Sequence, residues 1–360
     1  MAGLLAGHIA AVTGGGSGIG QGICQAYARE GARIVVLDAN LDGANETVGL
    51  IESAGGKASA VKLDVTNRDA CKQAAAEIGK SGNVSILVNN AGINRRNHFT
   101  GDPAAVSKVW DDILAVNLDG VFNVTHAFLP QLRATKGRVV NIGSIQSFVH
   151  VNGWPNSAAY TTSKHAVLGF TRALAAELGK DGIRVNAIGP GLIETKINAE
   201  ARAKNPDMVA AAMRHTPLAR TGKPEDIAGP AVFLASDLSA YVTGHIIMAD
   251  GGYRTVLRCP APGDGLLRRL RLRQRITLRC HLGFLRLDLT PSGFAPLVEL
   301  GEAAVRVRVD DVLRLTRALL RAGPPMRRDI VDDARQIEVL HLIPIRIVRV
   351  AHDPTPAGSA

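Results

Sequence analysis

An α/β fold built on a doubly wound, parallel seven-stranded sheet is what this sequence predicts, and three observations carry that prediction. Over residues 1–253, short apolar runs alternate with longer amphipathic stretches, the rhythm of repeated βα units. Gly, Asn or Asp punctuates the joins. A glycine-rich turn follows the first run directly and opens the first amphipathic stretch. A domain of this size buries roughly three quarters of the surface its unfolded chain exposes, so a large core is available.

The strands are expected at 8–13, 33–38, 58–64, 84–89, 137–143, 183–188 and 245–249. The second of them carries the short apolar run Ile34-Val35-Val36-Leu37 between Arg33 and Asp38, as strands covered on both faces do. Helices are expected between them, one over 18–30 and the longest over about 157–179, closing near Gly179 and Gly182. Right-handed crossovers then place a ligand crevice at the strand C-termini.

After Tyr253 the character of the chain changes. Residues 1–253 hold 23 Lys and Arg against 21 Asp and Glu, whereas residues 254–360 hold 19 Arg, no Lys and 11 acids. The formal charge of +10 therefore belongs to the tail, and a basic nucleic-acid surface is not implied for the first segment. Nine of the 17 prolines also fall after Tyr253. The expected domains are 1–253, catalytic, and 254–360, an Arg-rich extension. Strand-like alternations such as Val305-Arg306-Val307-Arg308-Val309 and Ile345-Arg346-Ile347 lie in that extension. Three readings stay open for it: a small accessory domain, an arm for anionic partners, or an appendage without specific function.

Cys24, Cys71, Cys259 and Cys280 show no C-x-x-C spacing, so neither a zinc site nor a disulfide framework is expected. No window approaches about 18 uninterrupted apolar residues, and the expectation is a cytoplasmic protein that engages no membrane and no specific nucleic acid.

Thr13-Gly14-Gly15-Gly16-Ser17-Gly18-Ile19-Gly20 is the glycine-rich turn. Glycine allows the tight turn and the close approach of a pyrophosphate, whose charge the following helix N-terminus favours. Asp38 ends the second strand, 18 residues beyond Gly20, where an acid accepts hydrogen bonds from ribose hydroxyls and repels a 2′-phosphate. Position 17 is Ser rather than a base, so the pair favours NAD over NADP. Tyr160 and Lys164 stand four residues apart on one face of the long helix, where an ammonium can lower a phenol pKa for moving a proton at a carbonyl or carbinol oxygen. The spacing alone is a weak signal, and its weight comes from the motifs around it.

Together these motifs resemble the short-chain dehydrogenase/reductase family, with its Rossmann-like fold, along nearly all of residues 1–253. The family's T-G-x-x-x-G-x-G stands at Thr13 to Gly20, N-N-A-G at Asn89 to Gly92, N-x-x-S at Asn141 to Ser144 and Y-x-x-x-K at Tyr160 to Lys164. Its helical Asn falls at Asn117, its P-G-x-x-x-T at Pro190 to Thr195, and its closing D-G-G at Asp250 to Gly252. The resemblance implies that Tyr160 is the acid/base, that Lys164 holds the nicotinamide ribose, that Ser144 binds the substrate oxygen and that Asn117 continues a proton relay. It further implies a cofactor contact set of Gly14, Ser17, Gly18, Ile19, Gly20 and Asp38, with Asp64 and Val65 at the adenine, Asn90 on the adenosine side, and Ile193 and Thr195 at the carboxamide. No metal is required, and a homotetramer is implied.

Between Ser144 and Tyr160 lie 15 residues, a little more than the family commonly has. The surplus around Val151 to Pro155 is read as a longer substrate-side loop, with Trp154 near the pocket or against a neighbouring subunit. Arg95 and Arg96, after N-N-A-G, and Gln146 resemble the same stretches in gluconate 5-dehydrogenases and related sugar-acid dehydrogenases. An arginine there could pair with a substrate carboxylate or serve the surface. The expected activity is NAD-linked hydride exchange at a secondary alcohol of a polyol, sugar or sugar acid. A 3-oxoacyl-thioester reductase and a catalytically silent NAD-binding sensor are the alternatives.

Overall fold

The computed structural model describes residues 3–95, 97–150, 158–195, 199, 203 and 206–255, together with five short strand segments beyond them. The chain divides into two units, 1–258 and 259–360.

The first unit holds one parallel sheet in the order β3-β2-β1-β4-β5-β6-β7. Its strands are β1 Ile9–Thr13, β2 Arg33–Asp38, β3 Lys57–Lys62, β4 Ile86–Asn89, β5 Arg138–Ile142, β6 Arg184–Pro190 and β7 Ile246–Ala249. Strands β1, β2, β4 and β5 are buried almost throughout because helices cover both faces, which explains their uninterrupted apolar runs. The outlying β3 alternates between half-buried and exposed positions. Residues 84 and 85 lie outside β4: Val84 N–H donates to Gln131 Oε1 rather than to a neighbouring strand. The third strand stops before Asp64, whose carboxylate turns back to accept from Thr66 N at 2.9 Å.

Helices α1 Gly18–Arg29, α2 Leu41–Ser53, α3 Arg68–Gly79, α4 Pro103–Leu114, α5 Gly120–Thr135, α6 Ala158–Leu178, α7 Pro206–Arg214 and α8 Pro224–Ala235 flank the sheet. Asn40, Asn67 and Asp102 cap α2, α3 and α4 with side-chain oxygens on backbone N–H groups. One wide π-helical turn, Ala115–Asp119, joins α4 to α5, a device often found at functional sites. On one face of the sheet Ile23, Tyr27, Ile34, Ile227 and Leu234 form the core, and on the other Leu87, Phe128, Leu132 and Val185. Burying each such side chain contributes roughly 1.5–3 kcal/mol.

Strand order reverses between β1 and β4, which pair through Ala10 with Ile86 and Val12 with Val88. A crevice opens at their C-terminal ends, and it receives the glycine-rich turn and the loop beginning at Asn90.

In the second unit, β8 Thr277–Cys280 pairs antiparallel with β9 Gly283–Arg286. A second small sheet joins β10 Leu297–Leu300, β11 Ala303–Arg306 and β12 Val348–Arg349, also antiparallel. The alternation around Val305 is thus partly strand, while Ile345 to Ile347 lies outside the described residues.

Candidate active site

A cleft of about 490 Å³ occupies the crevice. Its floor begins with the turn after β1. Gly14 has φ +61°, and a Cβ there would come within 2.9 Å of the Ala91 backbone. At Gly20 a Cβ would meet Gly14 O at 2.1 Å, so the turn and α1 can only pack this closely with glycine at both places. Asn90 locks the turn to β4: its Nδ2 donates to Thr13 O at 3.0 Å and Gly14 O at 2.9 Å. Thr13 Oγ1 in turn accepts from Asn90 N and Ala91 N, at 3.0 and 3.1 Å.

No side chain caps α1, and its first turn holds no acid. Its free N–H groups and positive dipole end therefore suit an anion brought in from the cleft. Asp38 reaches the turn as well, its Oδ2 accepting from Gly16 N and its Oδ1 from Asn40 N, each at 2.9 Å. Its carboxylate is thereby oriented by backbone donors at the cleft wall. Asp64 lines the same half, fixed by the hydroxyl of Thr66 at 2.8 Å as well as by the backbone amide. A glycine-floored cleft, an uncapped helix end and an oriented carboxylate together match the chemistry of a nicotinamide dinucleotide.

The other half of the cleft is built from side chains. Ser144, two residues beyond β5, is 7% exposed and its Oγ accepts from Gln146 N at 3.0 Å. Tyr160 and Lys164 come from the first turns of α6, and the Tyr160 phenol is hydrogen-bonded to Ser144. Burial pushes the phenol pKa above its ordinary value, partly opposed by that hydrogen bond. Lys164 Nζ lies 5.7 Å from the Tyr160 ring centroid and donates to Ile142 O at 2.8 Å. Burial lowers its pKa to about 8.

A buried polar chain sets α6 against β5. Asn89 Nδ2 donates to Thr125 Oγ1 at 2.9 Å and to Asn141 Oδ1 at 2.8 Å, and Asn141 Nδ2 donates to Thr171 Oγ1 at 2.9 Å. The strand that leads to Ser144 is thus registered against the helix carrying Tyr160. Asn117, 1% exposed in the π-helical turn, accepts from Ile93 N at 2.8 Å, and its Nδ2 donates to Ile93 O at 2.9 Å and Ser163 Oγ at 3.2 Å.

The cleft brings together Gly14, Ser17, Gly18, Ile19 and Asp38 with Asp64, Val65 and Asn90, and then Ser144, Gln146, Tyr160, Lys164, Ile193 and Thr195. Thr195 closes over the turn, its Cγ2 lying 3.2 Å from where a Gly18 Cβ would stand. Gly20 and Asn117 sit behind the wall. Arg95 stands apart, its Nη1 paired with Asp112 Oδ2 at 2.6 Å on an exposed surface that Lys108 shares. Arg96 and Trp154 lie outside the described residues. Ala39, Leu63 and Tyr253 line the cleft without having been singled out in the sequence. Tyr253 follows the D-G-G turn, where Asp250 Oδ1 and Oδ2 accept from Gly252 N and Arg254 N. An aromatic residue just after a tight turn at the end of the sheet was the available signal. Among the described residues no cluster of three or more His, Cys, Asp or Glu could hold a metal ion.

A nucleotide-binding crevice with a buried phenol, ammonium and hydroxyl beside it defines an oxidoreductase class, and the comparisons make it specific. The family model described as enoyl-(acyl carrier protein) reductase matches residues 14–254. Galactitol 2-dehydrogenase (L-tagatose-forming) of Cereibacter sphaeroides is 42% identical over 253 residues, 69% of this chain and 96% of its own length. The 3-oxoacyl-(acyl-carrier-protein) reductase of Thermotoga maritima is 38% identical over 253 residues, 69% of this chain and 98% of its own. Among solved structures, a gluconate 5-dehydrogenase from Burkholderia cenocepacia, in complex with NADP and tartrate, superposes with a TM-score of 0.65 at 34% identity, covering 70% of this chain and 97% of that one. The chain belongs to the short-chain dehydrogenase/reductase family, NAD(P)-dependent oxidoreductases acting on CH–OH groups.

Proposed function

We propose that this protein is an NAD-linked dehydrogenase of a secondary alcohol in a polyol, sugar or sugar acid, with Tyr160 as acid/base. The observation that carries the reading is the Ser144, Tyr160 and Lys164 grouping at one wall of the cleft whose opposite end presents the oriented Asp38. The identity to the Cereibacter galactitol dehydrogenase supports the substrate class.

The cofactor supplies the hydride acceptor when bound. The uncapped N-terminus of α1 would take its pyrophosphate, Asp38 its adenosine ribose, and Ile193 with Thr195 its carboxamide. Asp64 and Val65 would flank the adenine. Asn90 acts by holding the turn. Ser144 Oγ holds the substrate oxygen within reach of Tyr160, which removes the carbinol proton in oxidation and returns it to the carbonyl in reduction. Lys164 places positive charge beside the phenolate that forms, and Asn117 fixes the loop at Ile93 behind it. Asp38 and the neutral Ser17 favour NAD, since a 2′-phosphate would face a carboxylate with no cation at position 17. The solved gluconate 5-dehydrogenase is a complex with NADP, and the NAD preference proposed for this chain rests on Asp38 and Ser17 alone.

Reduction of 3-oxoacyl thioesters is the second reading, favoured by the 38% identity to the Thermotoga reductase. NAD and NADP reduction, followed by nicotinamide absorbance across polyols, sugar acids and 3-hydroxyacyl thioesters, separates the two. A homotetramer fits the exposed Trp110 and Phe122 on α4 and α5, which give a surface for association. Light scattering tests it. A cytoplasmic location fits the free thiols of Cys24 and Cys71. The catalytic domain is assigned to 1–253 and the Arg-rich extension to 254–360.

A further inference from the structure

Gln146 is 6% exposed and lies in the tight turn directly after Ser144, lining the cleft with Tyr160 and Tyr253. Its Oε1 is committed, since Thr161 Oγ1 donates to it at 2.7 Å. Thr161 is the residue after Tyr160, and the same hydroxyl lies 3.3 Å from His150 Nδ1. With the carbonyl end held against α6, the amide Nε2 is left with two N–H groups that meet no acceptor among the described residues. Nε2 is not sealed away from the cleft that Gln146 lines, so its two donors are open to a ligand oxygen. On the same wall, the Tyr253 phenol makes no hydrogen bond to a described residue, and its ring meets His215 edge to face at 6.2 Å.

Charge is the second observation. Lys164 is the only cation among the described lining residues, and it is engaged with Ile142 O beside Tyr160. Arg95 is turned away in its pair with Asp112. A substrate carboxylate desolvated here would have no counter-ion among the described residues apart from Lys164, whereas hydroxyls would meet neutral donors.

Resting on the reading of the protein as a secondary-alcohol dehydrogenase, we propose that Gln146 is a specificity-determining residue. Its amide donates to a hydroxyl oxygen beside the reacting carbon of an uncharged polyol, and Thr161 positions it. A sugar acid is then the poorer substrate.

The test measures kcat/KM of the full chain for hexitols, the corresponding aldonates and 2-butanol, which lacks neighbouring hydroxyls. The wild type should prefer the best hexitol to its aldonate by tenfold or more. Gln146→Leu should lower the hexitol to 2-butanol ratio about tenfold, the factor one hydrogen bond contributes. Thr161→Val should lower the same ratio, and Thr161→Ser, which keeps the hydroxyl, should restore it. An unchanged ratio in Gln146→Leu, while the wild type oxidises hexitols, overturns the assignment of Gln146 alone. So does equal loss on both alcohols or failure of Thr161→Ser to rescue. A preference for aldonates overturns the uncharged-substrate assignment. A wild type that oxidises none of these alcohols but turns over 3-hydroxyacyl thioesters overturns the dehydrogenase reading and the inference with it.

Discussion

At the end of the cleft proposed for the cofactor, side chains grip the backbone of the turn and its neighbours: Asn90 Nδ2 donates to Thr13 O and Gly14 O, and the Asp38 carboxylate accepts from Gly16 N and Asn40 N. On the substrate side, side chains hold one another, with Ser144 on Tyr160, Gln146 on Thr161 and Asn141 on Thr171. The contrast teaches where function can change. A turn packed this closely against backbone tolerates almost no variation in its glycines. A side-chain pair away from Tyr160, such as Gln146 with Thr161, can be rebuilt while the reacting groups stay in place. Substitutions should therefore sort by side, with substrate-side changes altering turnover and cofactor-side changes altering nucleotide binding.

The largest effect is expected at Tyr160. Tyr160→Phe removes the group proposed to transfer the proton and should lower kcat about 10³-fold, within the range of general acid–base catalysis, while calorimetry should find NAD affinity preserved. Loss of NAD binding in that variant would merge the two sides and break the contrast.

Lys164 comes next because its effect reaches stability. Its pKa falls from the ordinary 10.5 to about 8 in the fold, so between those values the unfolded chain holds a proton that the folded chain has lost. The contribution of this group to stability therefore rises with pH across that window. Below about pH 8 the buried charge costs the fold a constant amount, on the order of 3 kcal/mol. Lys164→Met should raise Tm at pH 7 while abolishing turnover, and the gain should shrink toward pH 10 in thermal melts. A gain of equal size at both pH values would contradict the cause assigned here.

Asn141→Ala leaves the Asn89 amide and the Thr171 hydroxyl short of a partner in the core. Unfolding in urea should report a loss of about 2 kcal/mol. Turnover should fall more than NAD affinity does, because the registration of α6 on β5 bears on Tyr160 and not on the turn after β1.

Asp38→Ala is the smallest expected change. It should weaken NAD about tenfold, the scale of one hydrogen bond to a charged group, and narrow the gap to NADP. An unchanged preference would place nucleotide choice elsewhere.

The fold was legible in the sequence because strands buried on both faces must be apolar throughout, and Arg33–Asp38 was located to the residue. The turn from Thr13 to Gly20 was legible because its glycines stand at fixed spacing within one short segment, although what they pack against, Ala91 and Asp38, lies elsewhere in the chain. Arg95 was not. What decides its direction is Asp112, 17 residues on and on another element. The Gln146–Thr161 pair, 15 residues apart, and the link from Asn89 to Asn141, 52 apart, depend on how β4, β5 and α6 pack. Tyr253 reaches the cleft only because Asp250 folds the chain back after β7. The glycine turn thus announces itself in one short segment, whereas the wall around Gln146 and Tyr253 is assembled only by packing, which is why the substrate was the hardest feature to read.

The most direct test is nicotinamide reduction by the wild type and Tyr160→Phe with NAD, offered polyols, sugar acids and 3-hydroxyacyl thioesters in parallel. The account predicts NAD-linked oxidation of a polyol by the wild type, rising with pH as the Tyr160 proton becomes easier to lose, and near-total loss in the variant. Turnover confined to thioesters with NADP, or turnover that survives in Tyr160→Phe, would contradict it.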